Sequence, residues 1–182
     1  MTNRQLYYRA MRSGMDRAEE IVRIAARLDW TWTIADIDRF SSATGWAVLR
    51  RSTYGATMQT DLMVPLPKAS VYTSGDQLKY FSIAVTDTNF GEPPSDPEGV
   101  VDDFAALGVW MMTELGRPAR RTPGAESSIR WDLPNLVVSL STLGTQVRLR
   151  LINPAYQEKE DHYDSEVRPW LDAEEKAAGE DQ

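Results

Sequence analysis

The stretch Leu136-Val-Val-Ser-Leu-Ser-Thr-Leu-Gly-Thr-Gln-Val-Arg-Leu-Arg-Leu-Ile152 decides the fold. Its first part is apolar, and from Gln146 onward apolar and basic side chains alternate with the period of two that is typical of a half-buried strand. One face of that strand would carry Val147, Leu149 and Leu151, and the other Arg148 and Arg150. Gly144 supplies a turn, so the stretch predicts two strands joined as a hairpin. The two arginines form either an exposed sheet face or a docking site for an acidic segment of the same chain.

Five further segments have strand character. They are residues 46–52, 57–64, 71–73, 78–86 and 129–131. Pro65 and Pro67 end the second of them, because proline cannot donate a ladder hydrogen bond. Short connections between consecutive strands favour a mostly antiparallel sheet.

Three segments predict helices, at residues 16–28, 34–43 and 97–115. Thr33 and Asp36 have the spacing of a capping box for the second, and Gly45 follows its end as a left-handed cap. The third begins at Pro97 and is apolar so widely that we expect it to be deeply buried or packed on two sides. The sequence therefore predicts an α+β fold, a mostly antiparallel sheet with helices packed on one face. This order of elements resembles that of the type III secretion chaperone fold.

Length and composition predict a single domain over residues 1–156. No apolar run approaches the roughly 20 residues of a membrane span, and the N-terminal residues lack the apolar region of a secretory signal. The chain has no cysteine. We therefore expect a cytoplasmic protein, without contact to a membrane.

The excess negative charge lies at the C-terminal end. Residues 157–182 hold ten acidic and three basic residues, whereas residues 1–156 hold 17 of each. We expect this acidic segment to form a partly docked helix, followed by a disordered tail beyond Asp172. The charge argues against nucleic acid and favours a basic protein partner. The carboxylates expected to bind it are Glu158, Glu160, Asp161, Asp164 and Glu166.

Three tryptophans, Trp30, Trp32 and Trp46, bracket the second helix. Indole rings anchor cores and interfaces alike. We expect Trp32 to be the exposed one of the three and to join the partner-binding surface.

Catalytic chemistry is scarce, and we expect no enzymatic activity, cofactor or metal. The only histidine, His162, lies within the acidic segment, and no cysteine nucleophile exists. Glu98 and Asp102 lie one helical turn apart and would be the centre of a carboxylate-dependent or metal-assisted hydrolase. The simpler interpretation is that both carboxylates complement the helix dipole.

The most distinctive stretch is Leu28-Asp-Trp-Thr-Trp-Thr-Ile-Ala-Asp-Ile-Asp-Arg-Phe-Ser-Ser-Ala-Thr-Gly-Trp46. It resembles the N-terminal signature of small acidic actinobacterial proteins of unknown function. Many of those proteins look like immunity proteins encoded beside secreted polymorphic toxins, and the resemblance covers residues 28–152. It implies a cytoplasmic partner-binding role. Together with the scarce catalytic chemistry and the localised acidic charge, this predicts an immunity-type inhibitor that occludes a cognate toxin. The alternative is a secretion chaperone or adaptor that uses helix 97–115 as a dimer or client surface. We expect the protein to be a monomer or a homodimer.

Overall fold

The strands form one antiparallel sheet. The computed structural model of the chain describes residues 3–87 and 97–167, with side chains for residues 15–86 and 99–167. The helices are α1 (Asn3–Arg27), α2 (Ala35–Thr44), α3 (Pro97–Leu115) and α4 (Pro154–His162), the last followed by a π-helical segment, Tyr163–Val167. The strands are β1 (Ala47–Ser52), β2 (Gly55–Gln59), β3 (Lys68–Ser74), β4 (Gln77–Asp87), β5 (Arg120–Thr122), β6 (Ser128–Leu133), β7 (Leu136–Leu143) and β8 (Gln146–Ile152).

The sheet joins two four-stranded meanders in the order β1-β2-β3-β4-β8-β7-β6-β5, and every neighbouring pair is antiparallel. The two halves meet where β4 pairs with β8, with Phe81 opposite Leu151 and Ser82 opposite Arg150. Apolar and polar residues therefore alternate between two faces. The predicted antiparallel α+β architecture is confirmed.

The inner face of the sheet carries the core, and α1, α2 and α3 pack against it. Ile83, Leu140 and Leu149 are fully buried on the strands, as are Ile21 of α1 and Leu107 of α3. No helix within 3–87 and 97–167 is long and apolar enough to cross a membrane.

An aromatic cluster fills the core beside α2. Phe40 lies 4.9 Å from Phe81 and 5.7 Å from Trp46, measured between ring centroids. Trp30 stacks on Trp32 at 4.7 Å with 13° between the ring planes. These contacts join α2 to the central strand β4, because Phe81 belongs to that strand.

The predicted capping box is wrong. Asp36 is fully buried, and its carboxylate accepts the backbone N–H groups of Thr31 (2.8 Å) and Trp32 (2.7 Å), while Arg39 donates to it at 2.6 Å. No side chain caps α2. The segment before α2 turns sharply at Trp32, whose φ is +56°, and this turn brings the earlier amides to the carboxylate.

Several predicted boundaries differ from the structure. The strand predicted at 57–64 ends at Gln59, because the N–H of Thr60 donates to the carbonyl of Pro67 and closes a loop. The polar stretch after α3 contains the short strand β5, which pairs with β6. Helix α1 begins at Asn3, earlier than expected.

Helix α3 has the predicted bounds and packs against both the sheet and α1, but it is not deeply buried. Leu107 and Met111 are fully buried on the side that meets the sheet, whereas Val101 is 60% and Val109 61% exposed. One side of α3 therefore faces solvent. The resemblance to the secretion chaperone fold stays a prediction.

Candidate functional site

Helix α4 presents the acidic residues, and Asn153 fixes where it begins. The Asn153 side-chain oxygen accepts the N–H of Ala155 at 3.0 Å, and Pro154 occupies the first turn. The Asn153 side-chain amide donates to the carbonyl of Leu78 at 3.0 Å, and its backbone N–H donates to Lys79 at 2.9 Å. The N-cap residue of the helix is thus attached to strand β4.

The far end of α4 is attached to β6 through Arg130. This guanidinium donates to Asp161 at 2.7 Å and makes two hydrogen bonds to Asp132, at 2.8 and 3.0 Å. Gln157 also donates to the Asp161 carboxylate, at 3.0 Å. The hydrogen bond from Arg130 holds the pKa of Asp161 below its ordinary value, and its bond to Asp161 raises the pKa of Arg130. Hydrogen bonds thus hold α4 to the sheet near both ends.

Between these attachments, Tyr156 packs on the outer face of the sheet. The centre of the Tyr156 ring lies 5.7 Å from that of Tyr80, and the Tyr80 ring stacks on Tyr72 at 4.5 Å. The Lys79 ammonium lies 5.6 Å from the centre of the Tyr156 ring. Burial raises the pKa of Tyr156 to about 12, with a further contribution from its hydrogen bond to Glu160. None of these three tyrosines was among the predicted partner-binding residues.

The five predicted partner-binding carboxylates have different surroundings. Glu158 and Glu160 of α4 are exposed, as are Asp164 and Glu166 of the π-helical segment. We call these four the acidic surface. Asp161 lies half-buried and paired with Arg130, so it anchors the helix rather than facing outward. Lys159 is the single basic residue between 157 and 167.

The expectation that Trp32 is exposed is wrong. Its side chain is 8% exposed, it stacks on Trp30, and its indole N–H donates to the carbonyl of Asn135 at 3.0 Å. Asn135 in turn donates to the carbonyl of Trp30 at 3.1 Å. Trp32 therefore holds the segment before α2 against the β6–β7 turn and belongs to the core, not to the acidic surface.

The residues considered for catalysis do not form a site within the described side chains. His162 is exposed at the end of α4, and Asp102 is exposed on α3. The side chain of Glu98 lies outside the described residues, as does the predicted disordered tail beyond Asp172. Among residues described with side chains, no group of three or more His, Asp or Glu is placed to hold a metal ion.

We considered Arg148 and Arg150 as a docking site for the acidic segment, but the structure shows them in contact with other residues. Arg148 donates to Ser82 at 3.1 Å and to Gln146 at 2.8 Å. The guanidinium of Arg150 lies 5.1 Å from the centre of the Tyr80 ring. Arg130 is the arginine that pairs with the acidic helix, and sequence reasoning missed it.

The model of a protein family described as a family of unknown function, DUF6301, matches residues 16–153. The chain belongs to DUF6301. The match runs from α1 to the N-cap of α4, so the acidic surface lies outside the segment that defines DUF6301. No functionally curated protein and no solved structure matches the chain. The predicted resemblance to proteins of unknown function is thus confirmed at the level of the family, and its immunity and actinobacterial parts stay predictions.

Proposed function

We propose that the protein is a cytoplasmic protein-binding protein, an immunity-type inhibitor whose acidic surface occludes a basic, secreted toxin. The single observation that supports this proposal most is the acidic surface itself. It presents exposed carboxylates on a helix that is hydrogen-bonded to the sheet near both ends.

The fixed position of the helix matters for affinity. A disordered acidic segment would lose conformational entropy on binding, whereas α4 is already folded. Its attachments to β4 and β6 leave Glu158, Glu160, Asp164 and Glu166 facing solvent. A basic partner therefore meets a preorganised row of negative charge.

Charge complementarity also accounts for fast capture. Opposite potentials on two surfaces raise the association rate and help to select the partner, and both effects weaken as salt screens the charges. The described part of the acidic segment carries five carboxylates and one lysine between 157 and 167. An inhibitor that must intercept a toxin before it acts benefits from such a rate.

The test is affinity capture from a lysate of the native organism, eluted with a salt gradient. The test variant combines Glu158→Gln, Glu160→Gln, Asp164→Asn and Glu166→Gln. The control variant removes the same charge from exposed residues elsewhere, through Asp16→Asn, Asp29→Asn, Asp76→Asn and Asp102→Asn. We expect one basic protein to bind the wild type and the control variant, to elute at moderate salt, and to be lost from the test variant.

Inhibition is tested separately in growing cells. Expression of the captured protein should arrest growth, and co-expression of the wild type should restore it, whereas the test variant should not. Equal binding and equal rescue by the wild type and both variants would contradict a role for the acidic surface. A captured protein that is harmless to the cell would contradict the immunity function.

The second candidate function is a chaperone or adaptor that dimerises through α3. The observation that favours it is the outward side of this helix, where Val101, Ala105 and Val109 follow one another at a spacing of four and are all exposed. Sedimentation velocity would show a stable dimer that becomes monomeric in a Val101→Glu, Val109→Glu variant. A monomer over the whole accessible concentration range would count against it.

A further inference from the structure

The outer face of the sheet carries an unbroken line of arginine and hydroxyl side chains. Directly opposed residues on neighbouring strands share a face of a sheet. Successive pairings link eight residues, one on each strand: Arg50, Thr57, Ser70, Ser82, Arg150, Ser139, Arg130 and Arg120. This line contains no carboxylate. Its side chains are guanidinium groups, which are charged hydrogen-bond donors, and hydroxyl groups, which can also donate. Such a set of groups suits an oxyanion.

At the β1 end of this line, the face forms a pocket of about 330 Å³. Its lining includes Arg50, Thr57 and Ser70 of this line, together with Tyr54 and Tyr72. We call these five residues the oxyanion pocket. It lies on strands β1 to β3, apart from the acidic surface that follows β8.

Gly55 also lines the pocket, beside the backbone of β3. It lies between Ser52 and Tyr72 in the neighbouring line of paired residues, and it places no side chain there. Its φ is +151°, and a Cβ atom at this position would stand 1.8 Å from the carbonyl oxygen of Val71. The close approach of the β2 and β3 backbones thus requires glycine.

Arg50 differs from the other arginines near it. Arg51 pairs with Asp38 of α2, and Arg150 lies over the ring of Tyr80. Among the described residues, Arg50 has no hydrogen-bond, ion-pair or ring partner, and the hydroxyls of Thr57 and Ser70 have no hydrogen-bond partner. A guanidinium and two hydroxyls therefore face a pocket with their donors unused.

The tyrosines add a flat apolar wall. Tyr72 is part of a stacked pair with Tyr80, at 4.5 Å and 23° between ring planes, which fixes its orientation. Tyr54 follows β1 in the turn and is 80% exposed, so its ring is available to a ligand. Aromatic rings pack against planar groups.

We propose that the oxyanion pocket binds a phosphate ester that carries a planar ring, as a mononucleotide or an aryl phosphate does. The Arg50 guanidinium donates two parallel hydrogen bonds to two phosphate oxygens, and the hydroxyls of Thr57 and Ser70 donate to the remaining oxygens. The ring of the ligand packs against Tyr72 and Tyr54. This site is independent of the acidic surface and does not rest on the proposed toxin inhibition.

Isothermal titration at low ionic strength, in a buffer without phosphate, tests the proposal with three probes. Adenosine 5′-monophosphate represents a nucleotide, phenyl phosphate represents an aryl phosphate, and inorganic phosphate lacks a ring. We expect saturable binding of at least one ring-bearing probe with a dissociation constant of about 1 mM or tighter, and weaker binding of inorganic phosphate. The ring-bearing probe that binds tighter identifies the source of the ligand.

Two neighbouring variants locate the site. Arg50→Gln should weaken binding about tenfold or more, because it removes the charged fork. Arg51→Gln removes the same charge one residue along the strand, on the side that meets α2, and should leave binding unchanged. The amide resonance of Gly55 should shift on titration with the wild type, in a nitrogen–proton correlation spectrum.

Three results would overturn the proposal. They are the absence of saturable binding by both ring-bearing probes, equal affinities for all three probes, and equal loss of binding in the Arg50→Gln and Arg51→Gln variants. Circular dichroism on both variants ensures that loss of binding is not loss of folding.

Discussion

The two faces of the sheet are made by the same strands but carry different chemistry. In the central pair, Phe81 and Leu151 face the helices and are fully buried, while the next residues along, Ser82 and Arg150, face the other way. The inner face gains stability from packing, because its buried apolar groups are closely surrounded by others. On the outer face, within residues 3–87 and 97–167, α4 is held by hydrogen bonds and by the tilted rings of Tyr156 and Tyr80.

Because of this difference, we expect the inner face to determine stability and the outer face to determine binding. Substitutions on the inner face should lower the free energy of unfolding, whereas most outer-face substitutions should change binding and leave stability nearly intact. The oxyanion pocket lies on the outer face of the sheet, and the acidic surface lies on α4 and the π-helical segment that follows it.

The largest loss should follow Phe81→Ala. Phe81 is fully buried and contacts the rings of Phe40 and Trp30, so truncation leaves a cavity between α2 and the sheet. We expect a loss of about 3–5 kcal/mol in the free energy of unfolding, measured by urea denaturation. Ser70→Ala, on the outer face, should change it by less than about 0.5 kcal/mol. Similar losses in the two variants would refute the contrast between the faces.

A loss of about 2–4 kcal/mol should follow Asp36→Ala, because it leaves the buried N–H of Trp32 and the partly buried N–H of Thr31 without an acceptor. The control is Asp38→Ala on the same helix. Asp38 is exposed and pairs only with the exposed Arg51, so its removal should cost less than about 1 kcal/mol. If the two variants unfold at the same urea concentration, the carboxylate of Asp36 is not a structural acceptor.

Two glycines with positive φ allow a comparison of strain with crowding. Gly55→Ala places a Cβ 1.8 Å from the carbonyl oxygen of Val71, whereas Gly75→Ala meets nothing within 4 Å at a φ of +57°. Both variants carry a left-handed penalty of about 1 kcal/mol. Gly55→Ala should cost about 1–3 kcal/mol more in thermal or urea denaturation, since the strands must move apart. Equal costs would mean that β2 and β3 do not approach as closely as described.

Local sequence pattern predicted the elements whose reasons are local. Pro97 and the helical period of the apolar residues predicted the bounds of α3. The alternation of apolar and basic residues predicted β8 and the burial of Leu149. These features depend on residues within a few positions of one another.

What the sequence could not predict depends on partners distant along the chain. Trp32 is buried because Asn135, 103 residues later, accepts its indole N–H. Arg130 and Asp161 lie 31 residues apart, and nothing local links them. The line of arginines and hydroxyls appears only when the register of eight strands is known, since neither Arg50 nor Ser70 belongs to a sequence motif.

The smallest expected effect concerns the attachment of α4 and its dependence on pH. The pKa of Asp161 is below its ordinary value of 3.8 because Arg130 donates to the carboxylate. A pKa that is lower in the folded state stabilises the protein fully above the unfolded value, and the contribution disappears as the pH falls through the folded value. The side chain of Asp161 is 35% exposed, so the contribution should be less than about 1 kcal/mol.

Asp161→Asn isolates this contribution, because the amide keeps the shape of the side chain and loses its charge. Urea denaturation of the wild type and the variant should give a gap at pH 6 that closes as the pH is lowered well below 4, when Asp161 of the wild type is protonated. Amide hydrogen exchange along α4 should be faster in the variant at pH 6 and unchanged in β8. A gap that stays constant down to pH 2 would mean that the charge on Asp161 does not hold the acidic helix on the outer face.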